Sequence, residues 1–226
     1  MTLLVKICGL KTADALDAAL DAGADMVGFV FFKPSPRNVP LDVARTLGSR
    51  VNGRAKKVAL TVDADDLVLA QVIDALKPDM LQLHGHETPE RVGAVRQRFG
   101  LPVIKALPVE TKDDLAAIKV YSDVSDMILF DARPPRGATR PGGLGRPFDW
   151  SLLRGLVPGQ PFILSGGLNA QNVAEALMMT KVPAVDVSSG VERAPGEKDL
   201  DKIREFIQVA RAAYARLPNA LHGMSA

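Results

Sequence analysis

The stretch LLVKICGLKTADALDAALDAGADMVGFVF, residues 3–31, contains one complete copy of the pattern that decides the fold. It opens with the apolar run Leu3 to Cys8 and closes with the apolar run Met26 to Phe31. Between these runs, apolar residues recur three or four positions apart, which is typical of an amphipathic helix. Those residues are Ala13, Leu16, Ala19 and Leu20. The stretch therefore predicts a strand, a helix and a second strand.

The same alternation continues along the rest of the chain. Further apolar runs are Lys57 to Thr61, Met80 to Leu83, Val103 to Ala106, Met127 to Asp131, Pro161 to Leu164 and Ala184 to Val187. Segments with helical spacing separate these runs, and the last helix is predicted to begin near Asp199. The sequence thus predicts about eight strand and helix pairs.

Strands separated by helices are expected to be parallel, and nearly continuous apolar strands indicate that helices cover the sheet. Eight such units favour a single-domain (β/α)8 barrel of the α/β class over an open doubly wound sheet. The open sheet is further disfavoured because no Gly-x-Gly-x-x-Gly fingerprint follows the first strand. We predict that residues 1–216 form the barrel and that residues 217–226 form a disordered tail.

Composition excludes several classes of protein. The chain has 226 residues, of which 28 are basic and 26 acidic, with two tyrosines and one tryptophan, so we expect no nucleic-acid partner. No apolar stretch approaches the roughly 20 residues that cross a bilayer, and no signal-peptide pattern is present at the N-terminus. The single cysteine cannot form an internal disulfide. We therefore expect a cytoplasmic protein without a membrane partner.

A thiol and a carboxylate end two of the predicted strands. Cys8 ends the first apolar run, and Asp131 ends the run that begins at Met127. In a barrel these ends share the catalytic face, so the two groups can serve as base and acid. The alternatives are that Cys8 is a buried small hydrophobe and that Asp131 caps a helix or pairs with Arg133.

Glycine and serine follow the last two strands, where barrels commonly bind phosphate through backbone N–H groups. The candidate residues are Ser165, Gly166 and Gly167 after the seventh strand, and Ser188, Ser189 and Gly190 after the eighth. The loop from Ala132 to Pro147 is rich in proline and glycine, is a candidate lid, and can add donors at Gly142, Gly143 and Gly145. The alternative is that these glycines only form turns.

Two further side chains follow predicted strands. Arg37 lies in a proline-rich loop, and its guanidinium can bind a carboxylate with two parallel hydrogen bonds. His84 can contact a ligand, carry a proton or be a polar group at the end of a strand. Metal-ligand spacing is lacking, so we expect no metal.

The quoted residues resemble a known family, the phosphoribosylanthranilate isomerases of tryptophan biosynthesis. The matching stretches follow the family order from about residue 3 to 210. They are Lys6-Ile7-Cys8-Gly9, Gly28-Phe29-Val30-Phe31, Ser35-Pro36-Arg37, Leu81-Gln82-Leu83-His84-Gly85, Phe130-Asp131, Phe148-Asp149-Trp150, Leu164-Ser165-Gly166-Gly167-Leu168, Asp186-Val187-Ser188-Ser189-Gly190-Val191-Glu192, Pro195-Gly196 and Lys198-Asp199.

The resemblance implies an Amadori rearrangement of N-(5-phosphoribosyl)anthranilate without any cofactor. It implies that Asp131 is the general acid, that Cys8 is the general base and that Arg37 holds the anthranilate carboxylate. The glycine and serine loops would hold the phosphate. Leu144 stands where the family usually has threonine or serine, which puts one hydroxyl contact in doubt.

Two alternatives remain open. One is another phosphosugar isomerase on the same barrel, such as the related isomerase of histidine biosynthesis, which has an aspartate at the position of Cys8. The other is a non-catalytic phosphate-binding barrel. The resemblance implies a monomer or a homodimer and a small phosphoribosyl substrate as the partner.

Overall fold

Eight parallel strands form a closed barrel in chain order, with the first strand beside the last. The computed structural model describes residues 2–135, 137–138, 140–143, 145, 147–156 and 161–217. The strands are β1 (Leu4–Cys8), β2 (Met26–Phe31), β3 (Lys56–Thr61), β4 (Met80–Leu83), β5 (Val103–Val109), β6 (Met127–Ala132), β7 (Phe162–Leu164) and β8 (Ala184–Val187). The predicted (β/α)8 barrel is confirmed.

Helices cover the outside of the barrel. They are α1 (Ala13–Asp21), α2 (Leu41–Val51), α3 (Asp66–Leu76), α4 (Pro89–Phe99), α5 (Ala117–Tyr121), α6 (Val173–Thr180) and α7 (Leu200–Ala215). Asp199 caps α7 by accepting hydrogen bonds from the backbone N–H groups of Asp201 and Lys202. The last helix therefore begins where the sequence predicts it.

The connection between β6 and β7 departs from the repeat. In its described part it contains a 3-10 turn, Trp150–Leu153, where the alternation predicts an α-helix. The proline-rich and glycine-rich loop takes up most of this connection, and such residues do not continue a helix. Trp150 and Leu153 are both buried, so the short turn still covers the barrel wall.

The two faces of each strand meet different surroundings, because successive side chains point in opposite directions. Val5 and Ile7 of β1 belong to the large core between sheet and helices, whereas Lys6 and Cys8 do not. A second apolar cluster fills part of the barrel interior. Its buried members are Met26, Val58, Ile104, Ala106, Met127, Leu129, Ile163 and Ala184.

A hairpin that the sequence did not predict follows β8. It consists of β9 (Glu192–Ala194) and β10 (Glu197–Lys198), which pair antiparallel. Every helix among the described residues is too short or too polar to cross a membrane. The predicted disordered tail, residues 217–226, lies outside the described residues except for Leu217, so it stays a prediction.

Candidate active site

One cavity lies at the C-terminal ends of the strands and collects nearly all of the predicted site residues. It is lined by Cys8, Arg37, His84, Asp131, Gly143, Gly145, Gly166, Gly167, Ser188 and Ser189. Gly190 is the exception, since it packs behind the cavity, where an added Cβ would lie 1.9 Å from the carbonyl oxygen of Leu168. The thiol and the carboxylate therefore face the same space.

An apolar wall surrounds the thiol. Cys8 packs with Val30 and Leu60, and Phe32 and Val62 lie against this group. These residues were not among the predicted site residues, although their positions at the ends of β2 and β3 were a usable signal. The cavity thus combines an apolar surface with the glycine and serine loops.

Cys8 lies beside a buried lysine on its own strand. The ammonium group of Lys6 and the Cys8 sulfur both lie next to Gly28, and the ammonium donates a 2.8 Å hydrogen bond to Asp186 Oδ1. Asp186 Oδ2 also accepts from the Ser165 hydroxyl at 3.2 Å. Burial raises the pKa of the Cys8 thiol, and Lys6 acts in the opposite direction.

Asp131 is held by a histidine and by the backbone. Its Oδ2 lies 3.1 Å from His84 Nε2, and its Oδ1 accepts from the N–H of Ala132 at 2.9 Å. Gln82 Nε2 lies 2.9 Å from His84 Nδ1. Donation from Gln82 to Nδ1 leaves the imidazole hydrogen on Nε2, directed at Asp131. Arg133, the alternative partner, instead pairs with Glu110 and Asp114.

Arg37 already binds one carboxylate of the protein. Its Nε and Nη2 donate to the two oxygens of Glu192 at 2.7 Å and 2.8 Å, and Nη2 also donates to Gly143 O at 3.2 Å. Within the part of the chain that the structure describes, the two hydrogens on Nη1 have no acceptor, so they can serve a ligand. The edge of the guanidinium that was predicted to bind a ligand carboxylate with two hydrogen bonds is therefore occupied by Glu192.

Lys198 reaches the same carboxylate from the hairpin. Its Nζ lies 2.9 Å from Glu192 Oε1 and donates to Ser188 O at 2.8 Å. Burial lowers the pKa of Lys198 to about 8, although Glu192 opposes this change. With Arg37, two cations surround one carboxylate, so the cluster keeps an excess of positive charge beside the cavity.

The sixth loop lies against the acid and against Arg37. A Cβ added at Gly142 would lie 2.6 Å from Asp131 Oδ2 and 2.8 Å from His84 Nε2, so this close approach requires glycine. The hydrogen bond from Arg37 to Gly143 O fixes the other side of the loop. Leu144, where the sequence departs from the family pattern, lies outside the described residues.

These observations define a class of protein: a (β/α)8-barrel enzyme with a thiol and a carboxylic acid at the catalytic face. The family model for N-(5'-phosphoribosyl)anthranilate (PRA) isomerase matches residues 5–209. The chain belongs to this family of isomerases of tryptophan biosynthesis.

Similar proteins cover almost the whole chain. The N-(5'-phosphoribosyl)anthranilate isomerase of Rhodopseudomonas palustris strain HaA2 is 62% identical over 213 residues, which are 94% of this chain and 98% of that protein. The phosphoribosyl anthranilate isomerase of Thermotoga maritima is 34% identical with a TM-score of 0.84, over 93% of this chain and all of that one. A further family structure contains reduced 1-(o-carboxyphenylamino)-1-deoxyribulose 5-phosphate and has a TM-score of 0.80, at 32% identity over 93% of this chain and 100% of that one.

Proposed function

We propose that the protein converts N-(5-phosphoribosyl)anthranilate to 1-(o-carboxyphenylamino)-1-deoxyribulose 5-phosphate by general acid and base catalysis. The observation that carries this proposal is the shared cavity of Cys8 and Asp131, which the glycine and serine loops also line. The family structure with the reduced product supports the choice of substrate.

Asp131 acts first, as the general acid. It donates a proton to the ribose ring oxygen while the bond between that oxygen and C1′ breaks, and the anilino nitrogen supplies the electrons. The product of this step is an open-chain iminium. Asp131 suits the role because its Oδ2 lies at the cavity, next to His84.

Cys8 acts second, as the general base. The iminium withdraws electrons from C2′, so the hydrogen on that carbon becomes acidic enough for a thiolate to remove. The electrons of the C–H bond form the enolamine, which becomes the ketone when its C2′ hydroxyl loses a proton and C1′ gains one. The reaction is an isomerisation, so no atom is gained or lost and no cofactor is needed.

The two ends of the substrate match the two kinds of surface. The aromatic ring packs against the apolar wall of Val30, Phe32 and Leu60, and its carboxylate accepts hydrogen bonds from Arg37 Nη1. The phosphate is bound by the loops after β7 and β8, which line the cavity.

The test is an assay of the purified protein with N-(5-phosphoribosyl)anthranilate, following the loss of anthranilate-type fluorescence. We expect turnover, and we expect Cys8→Ala to reduce it by about 10² to 10⁴-fold while the reduced product still binds. A protein that binds phosphate but gives no turnover would support the non-catalytic barrel. Turnover with the phosphosugar substrate of the histidine pathway alone would support the related isomerase.

We also propose that the enzyme works in the cytoplasm as a monomer or a homodimer, without a nucleic-acid partner. A similar phosphoribosylanthranilate isomerase, that of Thermotoga maritima, is a dimeric enzyme from which monomers have been generated. Sedimentation at several protein concentrations distinguishes the two states of this chain.

A further inference from the structure

Lys6 is a charged residue inside the barrel to which the proposed reaction assigns no step. Its side chain is fully buried. Lys6 and Cys8 are two positions apart on β1, so their side chains lie on the same face of the strand and point into the barrel. Buried lysines are rare unless they are paired, because burial of an unpaired charge is costly. The position of this charged ammonium group inside the barrel therefore calls for a structural or functional explanation.

The hydrogen bond to Asp186 uses one of the N–H donors of the Lys6 ammonium group. Among the described residues, Asp186 Oδ1 is the oxygen that accepts from Lys6 Nζ. An ammonium group has three N–H donors, and its other close polar neighbour is the Cys8 sulfur. Asp186 fixes the ammonium in place from one side, and the sulfur lies on another.

Gly28 makes this close approach possible. It pairs with Cys8 across the β1 and β2 strands. A Cβ at this position would lie 2.9 Å from Cys8 Sγ and 3.1 Å from Lys6 Nζ. Only glycine leaves the space in which thiol and ammonium meet.

We propose that Lys6 is a positioning residue for the base: its buried ammonium group, fixed by Asp186, stabilises the thiolate of Cys8. The role of Cys8 as base rests on the proposed function, whereas the effect of Lys6 on the thiol does not. Once the substrate's hydrogen is on the sulfur, Lys6 keeps its own proton and needs only the pair with Asp186.

Other charged groups near the thiol also affect its ionisation, so the predicted shift takes them into account. Lys6 and Lys198 favour the thiolate, and Asp186 opposes it. Arg37 lines the same cavity from the loop after β2, and Asp131 lines it from β6. Because Lys6 lies on the same strand and beside the sulfur, its removal has the largest expected effect.

The experiment uses the fact that the chain has one cysteine, so every thiol signal comes from Cys8. The rate of alkylation by iodoacetamide is measured against pH, and its midpoint reports the ionisation of the thiol. We expect Lys6→Met to move the midpoint upward and to slow alkylation at neutral pH by about tenfold or more. We expect Asp186→Asn to move it downward.

Two further variants separate this effect from general disturbance. Lys105→Met removes another buried lysine, one that pairs with Glu87 at 2.7 Å and does not line the cavity, and it should leave the midpoint unchanged. Lys6→Met combined with Asp186→Asn removes the pair without leaving a single buried charge, and it should give a smaller upward shift than Lys6→Met. If Lys6→Met does not fold, the double variant and Asp186→Asn still decide the matter.

Unchanged midpoints in Lys6→Met and Asp186→Asn, or shifts in the same direction in both, would overturn the proposal. Since alkylation requires no substrate, this outcome is independent of the isomerase assay. Opposite shifts in a protein that fails that assay would keep Lys6 as the partner of the thiol and reject the proposed function. Opposite shifts in an active enzyme support both.

Discussion

At the scale of single residues, each of the two proposed reactive groups has one polar side chain close beside it. Cys8 lies beside Lys6, and Asp131 contacts His84. Cysteine and aspartate at strand ends could be recognised in the sequence because strand ends form the catalytic face of a barrel. Their partners could not all be recognised, because a lysine inside an apolar strand has meaning only when its neighbours on other strands are known.

The proposed acid is tested by Asp131→Asn. The amide cannot donate a proton as an acid, but it can still occupy the space beside His84. We expect turnover to fall by about 10² to 10⁴-fold, with nearly unchanged affinity for the reduced product measured by calorimetry. Turnover within a factor of three of the wild type would show that another group donates the proton.

Gly142→Ala tests the fit of the sixth loop. The added Cβ would approach Asp131 Oδ2 to 2.6 Å, so the carboxylate or the loop must move. A displacement of about 1 Å at a reacting group costs on the order of 10²-fold in rate, so we expect kcat to fall. The control is Gly93→Ala on α4, where the nearest atom would be 3.6 Å away. Equal kcat values for the two variants would contradict the importance of this contact.

At the scale of elements, the hairpin of β9 and β10 holds Arg37, the arginine proposed to bind the substrate. Glu192 accepts two hydrogen bonds from Arg37, and Lys198 reaches the same carboxylate. Burial alone would raise the pKa of Glu192, but the hydrogen bonds from Arg37 and Lys198 lower it overall. The hairpin therefore presents a charged carboxylate that fixes the guanidinium.

Glu192→Gln tests this arrangement. An amide offers one oxygen in place of two, and it leaves Arg37 and Lys198 without a neutralising charge. We expect KM for the substrate to rise about tenfold with a smaller change in kcat, because Arg37 binds and does not transfer protons. Glu197→Gln on the same hairpin removes only an exposed pair with Arg193 and should behave as the wild type. A loss of kcat at constant KM would contradict the assignment.

Most elements could be predicted from hydrophobic periodicity, and the exceptions have physical reasons. β5 extends to Val109, beyond the predicted end at Ala106, because its pairing with β6 continues through Pro108. The ion pair of Arg37 and Glu192 joins residues 155 positions apart and leaves no local signal. Ser188, Ser189 and the predicted glycines other than Gly190 could be placed at the site, because in a barrel the residues that follow the strands lie close together.

At the scale of the whole molecule, the closed barrel buries charge as well as apolar surface. The side chain of Lys6 inside the barrel and that of Lys198 on the hairpin are both buried, and their pKa values shift in opposite directions. Burial acts to lower the pKa of Lys6, but Asp186 and Cys8 raise it overall. For Lys198 burial dominates, and the pKa is lowered to about 8.

The free energy of unfolding should therefore depend on pH through Lys198. The unfolded chain keeps this proton up to its ordinary pKa of 10.5, whereas the folded protein loses it near 8. Between these values the unfolded state binds more protons, so Lys198 makes the protein more stable as pH rises, by roughly 1.4 kcal/mol per pH unit. Lys198→Met should lack this increase.

The measurement is urea unfolding of both proteins between pH 7 and pH 10. Both proteins also carry Cys8→Ala, because Lys198 favours the Cys8 thiolate and the thiol would otherwise titrate differently in the two. The remaining titrating groups, Lys6 included, are present in both and cancel in the difference. We expect the protein that keeps Lys198 to gain on the variant above about pH 8. A difference that is constant over this range would show that Lys198 keeps its proton in the folded protein.

Cys8 is the sole cysteine of the chain, so thiol oxidation can reach the proposed chemistry through this one sulfur atom alone. No internal disulfide can form or break, so the fold of the barrel does not depend on the thiol–disulfide balance of its surroundings. A thiolate that peroxide converts to sulfenic acid can no longer accept hydrogen from carbon, and a reductant restores it. With Cys8 as the proposed base, we expect turnover to be lost when this sulfur is oxidised to the sulfenic acid and to return on reduction.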